Sequence, residues 1–354
     1  MYKTMVSLKL ILLILLSGFS TIVIYFQVQI NKLEQNKQIL ESRIAQIQSE
    51  SQLLLKSQTA ESAHLSTNIK AVDNLVVIYN RVPKTGSTSF VGIPYDLCKK
   101  NKFHVLHINI TANMHVLSLP NQYKFVQNIT HWDAMKPALY HGHLAFLDFT
   151  RLGASEQPTY INIIRKPLDR LISYYYFLRY GDDFRPYLVR RKHGNKMSFD
   201  ECVQKKQADC DPNNMWLQIP FFCGHAYECW IPGNEWALNE AKKNLINHYL
   251  LVGVTEELED FVAILEATLP RIFKGATEHF LKSNKTHLRK TAQKILPSNK
   301  TVEEIKQSPV WKMENELYEF ALEQFHFVKR RVLQNGGDKV ANPQKYIYEK
   351  IRPK

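Results

Sequence analysis

The sequence predicts an α/β domain with a mainly parallel central sheet flanked by helices. Three buried-strand patterns carry that prediction: LVVIYN (75–80), YINII (160–164) and YLLVGV (249–254). Each leads through a loop into a helical pattern, the alternation that builds a parallel sheet. The 354 residues are 45% hydrophobic and 22% charged. That is ordinary globular composition, enough for one large or two modest domains.

Residues 10–26, LILLILLSGFSTIVIYF, are uncharged and largely apolar, and with Met5 to Leu8 they approach a bilayer-spanning length. No small-x-small cleavage site follows, so an uncleaved signal-anchor is expected rather than a signal peptide. Lys3 and Lys9 mark residues 1–9 as a cytoplasmic tail and put the rest in the lumen. The stem follows at 27–74. Within it Ile30, Lys37, Ile44 and Ser51 occupy heptad a positions, and Leu33, Leu40, Ile47 and Leu54 occupy d positions. A short coiled coil is expected there, then a Ser/Thr/Ala/Asn linker over 57–74. The catalytic domain is read as 75–354.

Helices are expected over 168–178, 256–268 and 311–331, with Thr255 capping the helix that begins TEELEDF. Pro167 is read as ending the second strand. Net charge is +13, which favours an anionic partner such as nucleic acid, acidic lipid or acidic glycan. Cys98 stands apart from Cys202, Cys210, Cys223 and Cys229. No C-x-x-C spacing suggests a metal site. In a lumenal domain two local disulfides fit best; Cys202–Cys210 and Cys223–Cys229 close the shortest loops, though four cysteines allow three pairings. The sequons at Asn109, Asn128, Asn284 and Asn299 would be usable acceptors in the lumen.

Three segments carry chemistry. Arg81-Val-Pro-Lys84-Thr85-Gly86-Ser87-Thr88-Ser89 joins a buried strand to a helix. Gly86 permits close backbone approach, the helix start offers free N–H groups, and Lys84 adds a mobile positive charge. The order differs from the Walker loop, because the lysine precedes the glycine. INIIRKPLDRLISYYYF (161–177) places Arg165 at a strand end and Ser173 about two turns into a helix, where a guanidinium and a hydroxyl can grip a phosphate. Tyr140-His141-Gly142-His143 puts two imidazoles on one face if it is extended, with His141 the expected base and His143 its partner. A zinc pair would need a third ligand, which no nearby H-E-x-x-H or Asp/Glu-His cluster supplies.

Strand–PKTGST–helix together with strand–R-x-P-x-x-R-x-x-S–helix resembles the PAPS-dependent sulfotransferases. NRVPKTGSTSF, YHGH, WLQIPFFCGH, VGVTEELEDF, THLRKT and WKMENE narrow the resemblance to the heparan sulfate 2-O-sulfotransferase family. It covers about residues 75–330. The resemblance implies a P-loop-like sulfotransferase domain in a Golgi type II membrane enzyme, with PAPS as donor and no metal. It implies that Lys84, Thr85, Gly86, Ser87 and Thr88 hold the 5′-phosphosulfate, and Arg165 and Ser173 the 3′-phosphate. Leu288, Arg289 and Thr291 belong to a loop that closes on the nucleotide. His141 and His143 act on the acceptor hydroxyl while Lys84 stabilises the leaving phosphate oxygen.

The acceptor is a polyanion, so arginine is expected along its groove. Arg81, Arg185, Arg190, Arg191 and Lys192 are the basic candidates, and the resemblance favours Arg81 and Arg190. Tyr95, and the Tyr174–Tyr176 run, are candidates for sugar faces; Asp182 is one for a polar group of the sugar. Lys166 replaces the family's usual acid, and Gly92 and Pro94 stand where the family has larger or less rigid residues near the acceptor. The tail KYIYEKIRPK resembles the family's tail, and that resemblance implies a homotrimer. The implied partner is heparan sulfate rather than nucleic acid, sulfated at the 2-hydroxyl of iduronic and less often glucuronic acid. Alternatives are a uronyl 2-O-sulfotransferase acting on dermatan or chondroitin sulfate, and a non-catalytic heparan-binding protein. A nucleotide kinase is disfavoured by the loop order and by the lack of a Mg²⁺ ligand signature.

Overall fold

Five parallel strands form the sheet, in the order β2-β3-β1-β4-β5. They are β1 (Val76–Asn80), β2 (His104–Ile108), β3 (Ala138–Gly142), β4 (Thr159–Ile164) and β5 (Tyr249–Val254). The computed structural model describes residues 73–110, 114–183, 185–283 and 293–334, together with Gln27. The tail (1–9), the anchor (10–26), nearly all of the stem (27–74), the sequon at Asn284, residues Leu288, Arg289 and Thr291, and the terminal KYIYEKIRPK lie outside the described residues. The described residues from Asp73 onward form one compact unit.

β1 sits at the centre because four of its five residues are wholly apolar or sealed by neighbours, and Val77, Ile78 and Tyr79 are fully buried. A strand covered on both faces reads as a continuous apolar run. β3 pairs with one edge of β1, with Tyr79 opposite His141 and Asn80 opposite Gly142. β4 pairs with the other edge. The chain therefore runs from β1 to one flank, through β2 and β3, and then crosses to β4 and β5. Ligand crevices open at such switch points, beyond the C-terminal strand ends. β2 is an edge strand with only partial burial. Its alternation is short and holds two histidines, so it carries little hydrophobic signal.

Helix α1 (Ser87–Asn101) follows β1 and packs Phe90 edge-on against Tyr79, 5.1 Å between centroids. Helix α2 (Pro167–Tyr180) follows β4. Pro167 does not end a strand: β4 stops at Ile164, and the proline opens α2, where its missing N–H costs nothing. Helix α3 (Gln218–Cys223) is fully buried. Helix α4 (Glu235–His248) leads into β5, and α5 (Leu258–Thr268) leaves it. Thr255 does not cap α5. It lies in a 3₁₀ turn, and its hydroxyl is used elsewhere.

Helix α6 (Pro309–Lys329) buries Val310, Glu314, Leu317, Tyr318, Ala321, Phe325 and Val328. That spacing of three and four is an amphipathic stripe, with one acid inside it. Disulfides join Cys202 to Cys210 and Cys223 to Cys229, leaving Cys98 free. Of three possible pairings, the two shortest loops are closed. Asn109, Asn128 and Asn299 are all exposed.

Candidate active site

The loop after β1 bends through two left-handed residues, Lys84 (φ 68°) and Gly86 (φ 76°). Gly86 precedes α1, whose first turn holds no acid. A helix start without a nearby carboxylate leaves its N–H groups and dipole open to an anion. A Cβ on Gly86 would lie 3.2 Å from the Thr255 methyl, so position and conformation both favour glycine. Thr85 is buried and its hydroxyl donates to the Val82 carbonyl at 3.0 Å. Ser87 is buried and Thr88 half-buried. Tyr79 lies beneath, its hydroxyl beside those of Thr85 and Ser87.

Across the crevice, Arg165 Nη1 reaches the Lys84 carbonyl at 3.4 Å. Its Nε is buried and has no hydrogen-bond partner among the described residues. Ser173 is buried on α2. Lys84 Nζ rests 4.2 Å from the centre of the Phe177 ring.

His141 is the next-to-last residue of β3, opposite Tyr79 of β1. Its Nε2 meets the Tyr95 hydroxyl at 2.9 Å, and its ring stacks on His107 at 4.9 Å. Its Nδ1 is buried without a hydrogen-bond partner among the described residues. Burial first, then Arg81 and the neighbouring imidazoles, push its pKa down to about 3. His143 is pushed down to about 4, by burial and then Arg81. β3 ends at Gly142, so the alternation expected to align the two rings stops one residue short of His143. His143 Nδ1 contacts the Arg81 carbonyl at 2.8 Å, and its own carbonyl meets His115 Nδ1 at 3.1 Å. Gly142 itself is obligatory. A Cβ there would sit 2.5 Å from the Ile108 carbonyl oxygen of β2.

Arg81 links the parts. Its N–H donates to the Gly142 carbonyl at 2.8 Å, extending the β1–β3 ladder. Its Nη2 approaches His107 Nε2 at 3.5 Å. A guanidinium only donates, so this contact holds Nε2 of His107 unprotonated.

On the outer side, Arg190 lies 4.3 Å from the Phe177 ring centre and 3.6 Å from Asp182. The Arg185 N–H donates to Asp182 Oδ1 at 2.9 Å, while the Arg185 residue is exposed. Lys192 turns away, to Asp209 at 3.4 Å. Tyr175 and Tyr176 are core residues at 1% exposure, leaving Tyr174 alone of that run at the surface. The fold thus sets Arg81, His141 and Arg165 at or just past the C-terminal ends of β1, β3 and β4, with Tyr95 on His141 and with Lys84 and Arg190 on Phe177.

Residues 67–321 match the sulfotransferase family, more than half of the chain. The chain belongs to that family.

A "heparin sulfate O-sulfotransferase" of Drosophila melanogaster is 64% identical over 282 residues, 80% of each chain. "Heparan sulfate 2-O-sulfotransferase 1" of Homo sapiens is 53% identical over 338 residues, 95% of this chain and 94% of the relative. The protein of the same name from Xenopus laevis is 52% identical over 347 residues, 98% and 97% of the two chains. In this sulfotransferase, three supports of the site escape a reading of motifs. The Thr255 hydroxyl lies within hydrogen-bond reach of the carbonyls of Thr85 (2.9 Å) and Ile164 (3.0 Å), bringing the loop after β1 and the end of β4 together. Glu314, wholly buried on α6, accepts from the N–H groups of Leu217 (2.8 Å) and Ile219 (3.1 Å) and from the Gln218 side chain (3.2 Å). Gln218 in turn accepts the Arg165 N–H at 2.8 Å. Asn80, buried beneath the loop, accepts from Tyr249 Oη and the Asn162 amide, at 3.0 and 2.9 Å. A lone acid in an otherwise apolar helical stripe was the one visible sign of the second device.

Proposed function

We propose that this sulfotransferase moves the sulfuryl group of PAPS to the 2-hydroxyl of a uronic acid in heparan sulfate, iduronic acid more often than glucuronic. The observation that carries this reading is a neutral imidazole, His141, on the strand next to the Lys84–Gly86 loop, in a chain 64% identical to a relative named heparin sulfate O-sulfotransferase and 52% identical to one named heparan sulfate 2-O-sulfotransferase 1.

The residues fit a bisphosphorylated donor. Gly86, Thr85, Ser87, Thr88 and Lys84 would receive its phosphosulfate at an acid-free helix start. Arg165, with a buried Nε lacking a partner, and Ser173 would hold the 3′-phosphate, with Leu288, Arg289 and Thr291 closing over it. PAPS supplies the activated sulfuryl group and a phosphate leaving group.

The remaining work falls to the protein. His141 Nε2 faces the half-exposed Tyr95, whereas Nδ1 is sealed. An acceptor hydroxyl therefore displaces the Tyr95 hydroxyl at Nε2 and delivers its proton there. Nδ1 carries the resting proton. Arg81 and Arg190 bind the acceptor's carboxylate and sulfates, Arg185 and Asp182 frame them, and His143 supports the loop through the Arg81 carbonyl. An anion on Arg81 removes one of the charges that depress His141, so acceptor binding strengthens the base when it is needed. Lys84 neutralises charge on the leaving phosphate.

We infer the same setting for the whole chain: a Golgi membrane protein of type II topology, anchored through residues 10–26, with a lumenal catalytic domain, glycosylated at Asn109 and Asn128 and assembled as a homotrimer. The two disulfides and the exposed sequons support a lumenal domain.

The test is to incubate the purified lumenal domain with labelled PAPS and a panel of desulfated glycosaminoglycans, then map the label. Label at the uronate 2-position of heparan sulfate is expected. Label chiefly on dermatan or chondroitin sulfate would favour the uronyl enzyme, and no transfer would overturn the reading. His141→Ala is expected to lose transfer while still binding the nucleotide.

A further inference from the structure

Phe177 ends the 161–177 segment with no role read from the sequence, yet its ring meets a cation from each of two distant loops. Its ring takes the Lys84 ammonium at 4.2 Å and the Arg190 guanidinium at 4.3 Å, each measured to the ring centre. Both distances are well within the roughly 6 Å reach of a cation–π contact. Lys84 belongs to the anion cradle of the donor side. Arg190 belongs to the acceptor side and is countered by Asp182 at 3.6 Å. The ring stands in the last turn of α2, four residues before the chain turns at Gly181. A Cβ on Gly181 would lie 3.6 Å from the Arg190 side chain, so the strand of loop bearing Arg190 is packed closely against that turn.

Two cations sharing one ring repel each other, and the ring's attraction is divided between them. A nucleotide that draws the Lys84 ammonium onto its phosphate releases the ring to Arg190 alone. Arg190 is then held more firmly in place, and an anionic sugar meets an arginine that is already ordered. We propose that Phe177 couples the two substrate sites, so that filling the donor site tightens acceptor binding and the reverse. The proposal rests on the assignment of Lys84 and Arg190 to donor and acceptor made above. Phe177 is a positioning residue in it, touching neither reacting atom. Coupling of this kind is reciprocal by thermodynamic necessity.

Calorimetric titration tests it with two non-reacting ligands, adenosine 3′,5′-bisphosphate and an N-sulfated heparan oligosaccharide. Each is titrated alone and in the presence of saturating partner. In the wild-type protein each ligand is expected to bind about two- to five-fold more tightly beside the other, the factor of one cation–π contact. Phe177→Leu is expected to bring both ratios to one. Phe177→Tyr, which keeps the ring, is expected to retain them and guards against a variant that fails to fold. Ratios of one in the wild type, or equal ratios in wild type and Phe177→Leu, overturn the coupling. Failure of the wild type to bind either ligand alone would instead overturn the assignment of the two sites, and the coupling with it.

Discussion

At the scale of single residues, the site works by refusing charge. Burial and the Arg81 guanidinium hold the His141 imidazole near 3, against an ordinary value of 6.5. The base role proposed for His141 requires a neutral imidazole to accept the proton. Lowering its pKa therefore extends its competent range toward acid. The kcat/KM profile of the free enzyme is expected to stay level from pH 7.5 to about 5, with no limb near 6.5. A pH series at low acceptor concentration checks this, and a limb near 6.5 would show an imidazole that titrates freely. His141, Lys84 and Arg165 could be placed from sequence because each motif lies at a strand end or in the loop that follows one. Glu314 and Gln218 were not, because their partners lie far along the chain: Glu314 serves Leu217 across 97 positions. Thr255 was misread for a related reason. Its neighbours along the chain suggested a cap, whereas its hydroxyl goes to Thr85, 170 positions away.

At the scale of elements, α1 and α3 show how sequence signals can mislead or vanish. α1 contains Gly92 and Pro94, both poor helix residues. The helix persists because Phe90, Ile93 and Leu97 are buried in the core, and packing outweighs propensity. Nothing lies within 4 Å of a Cβ added at Gly92. Gly92→Ala is therefore expected to raise unfolding free energy by about 0.5–1 kcal/mol, read from a denaturant midpoint. α3 has the opposite dependence. Six residues hold few bonds of their own, and its first N–H groups are satisfied by Glu314 from another helix. Glu314→Leu leaves those donors unpaired and Arg170, whose charge counters the burial of Glu314, without its acid. A loss of about 3–5 kcal/mol is expected. Glu314→Gln is expected to lose less, since an amide oxygen still accepts. β2 illustrates a third case: an edge strand bearing two histidines has no apolar run to announce it, although it supplies His107 to the site.

For the whole molecule, the same buried imidazoles tie stability to pH. His141, His143 and His225 stand at about 3, 4 and 4 in the fold. In the unfolded chain each returns to about 6.5. Below that value the unfolded state takes up protons that the fold excludes, so stability falls as pH drops from about 6.5 toward 4. Each group contributes about 1.4 kcal/mol per pH unit across that window. Denaturant melts at pH 7 and pH 5 are expected to show a lower midpoint at pH 5, smaller in magnitude when His225 is replaced by Gln. The parallel α/β architecture was visible in three apolar runs. The order of the strands was not, since no local pattern says which strand lies beside which. That order has an outcome of its own. The histidine strand and the arginine strand flank β1 on opposite sides, two strand spacings apart, roughly 10 Å. Neighbours in a hydrogen-bonded ladder cannot slip without breaking every rung. The backbone spacing between His141 and Arg165, the proposed proton acceptor and phosphate clamp, is thus a fixed gauge, and any retuning of reach has to come from the side chains that stand on it.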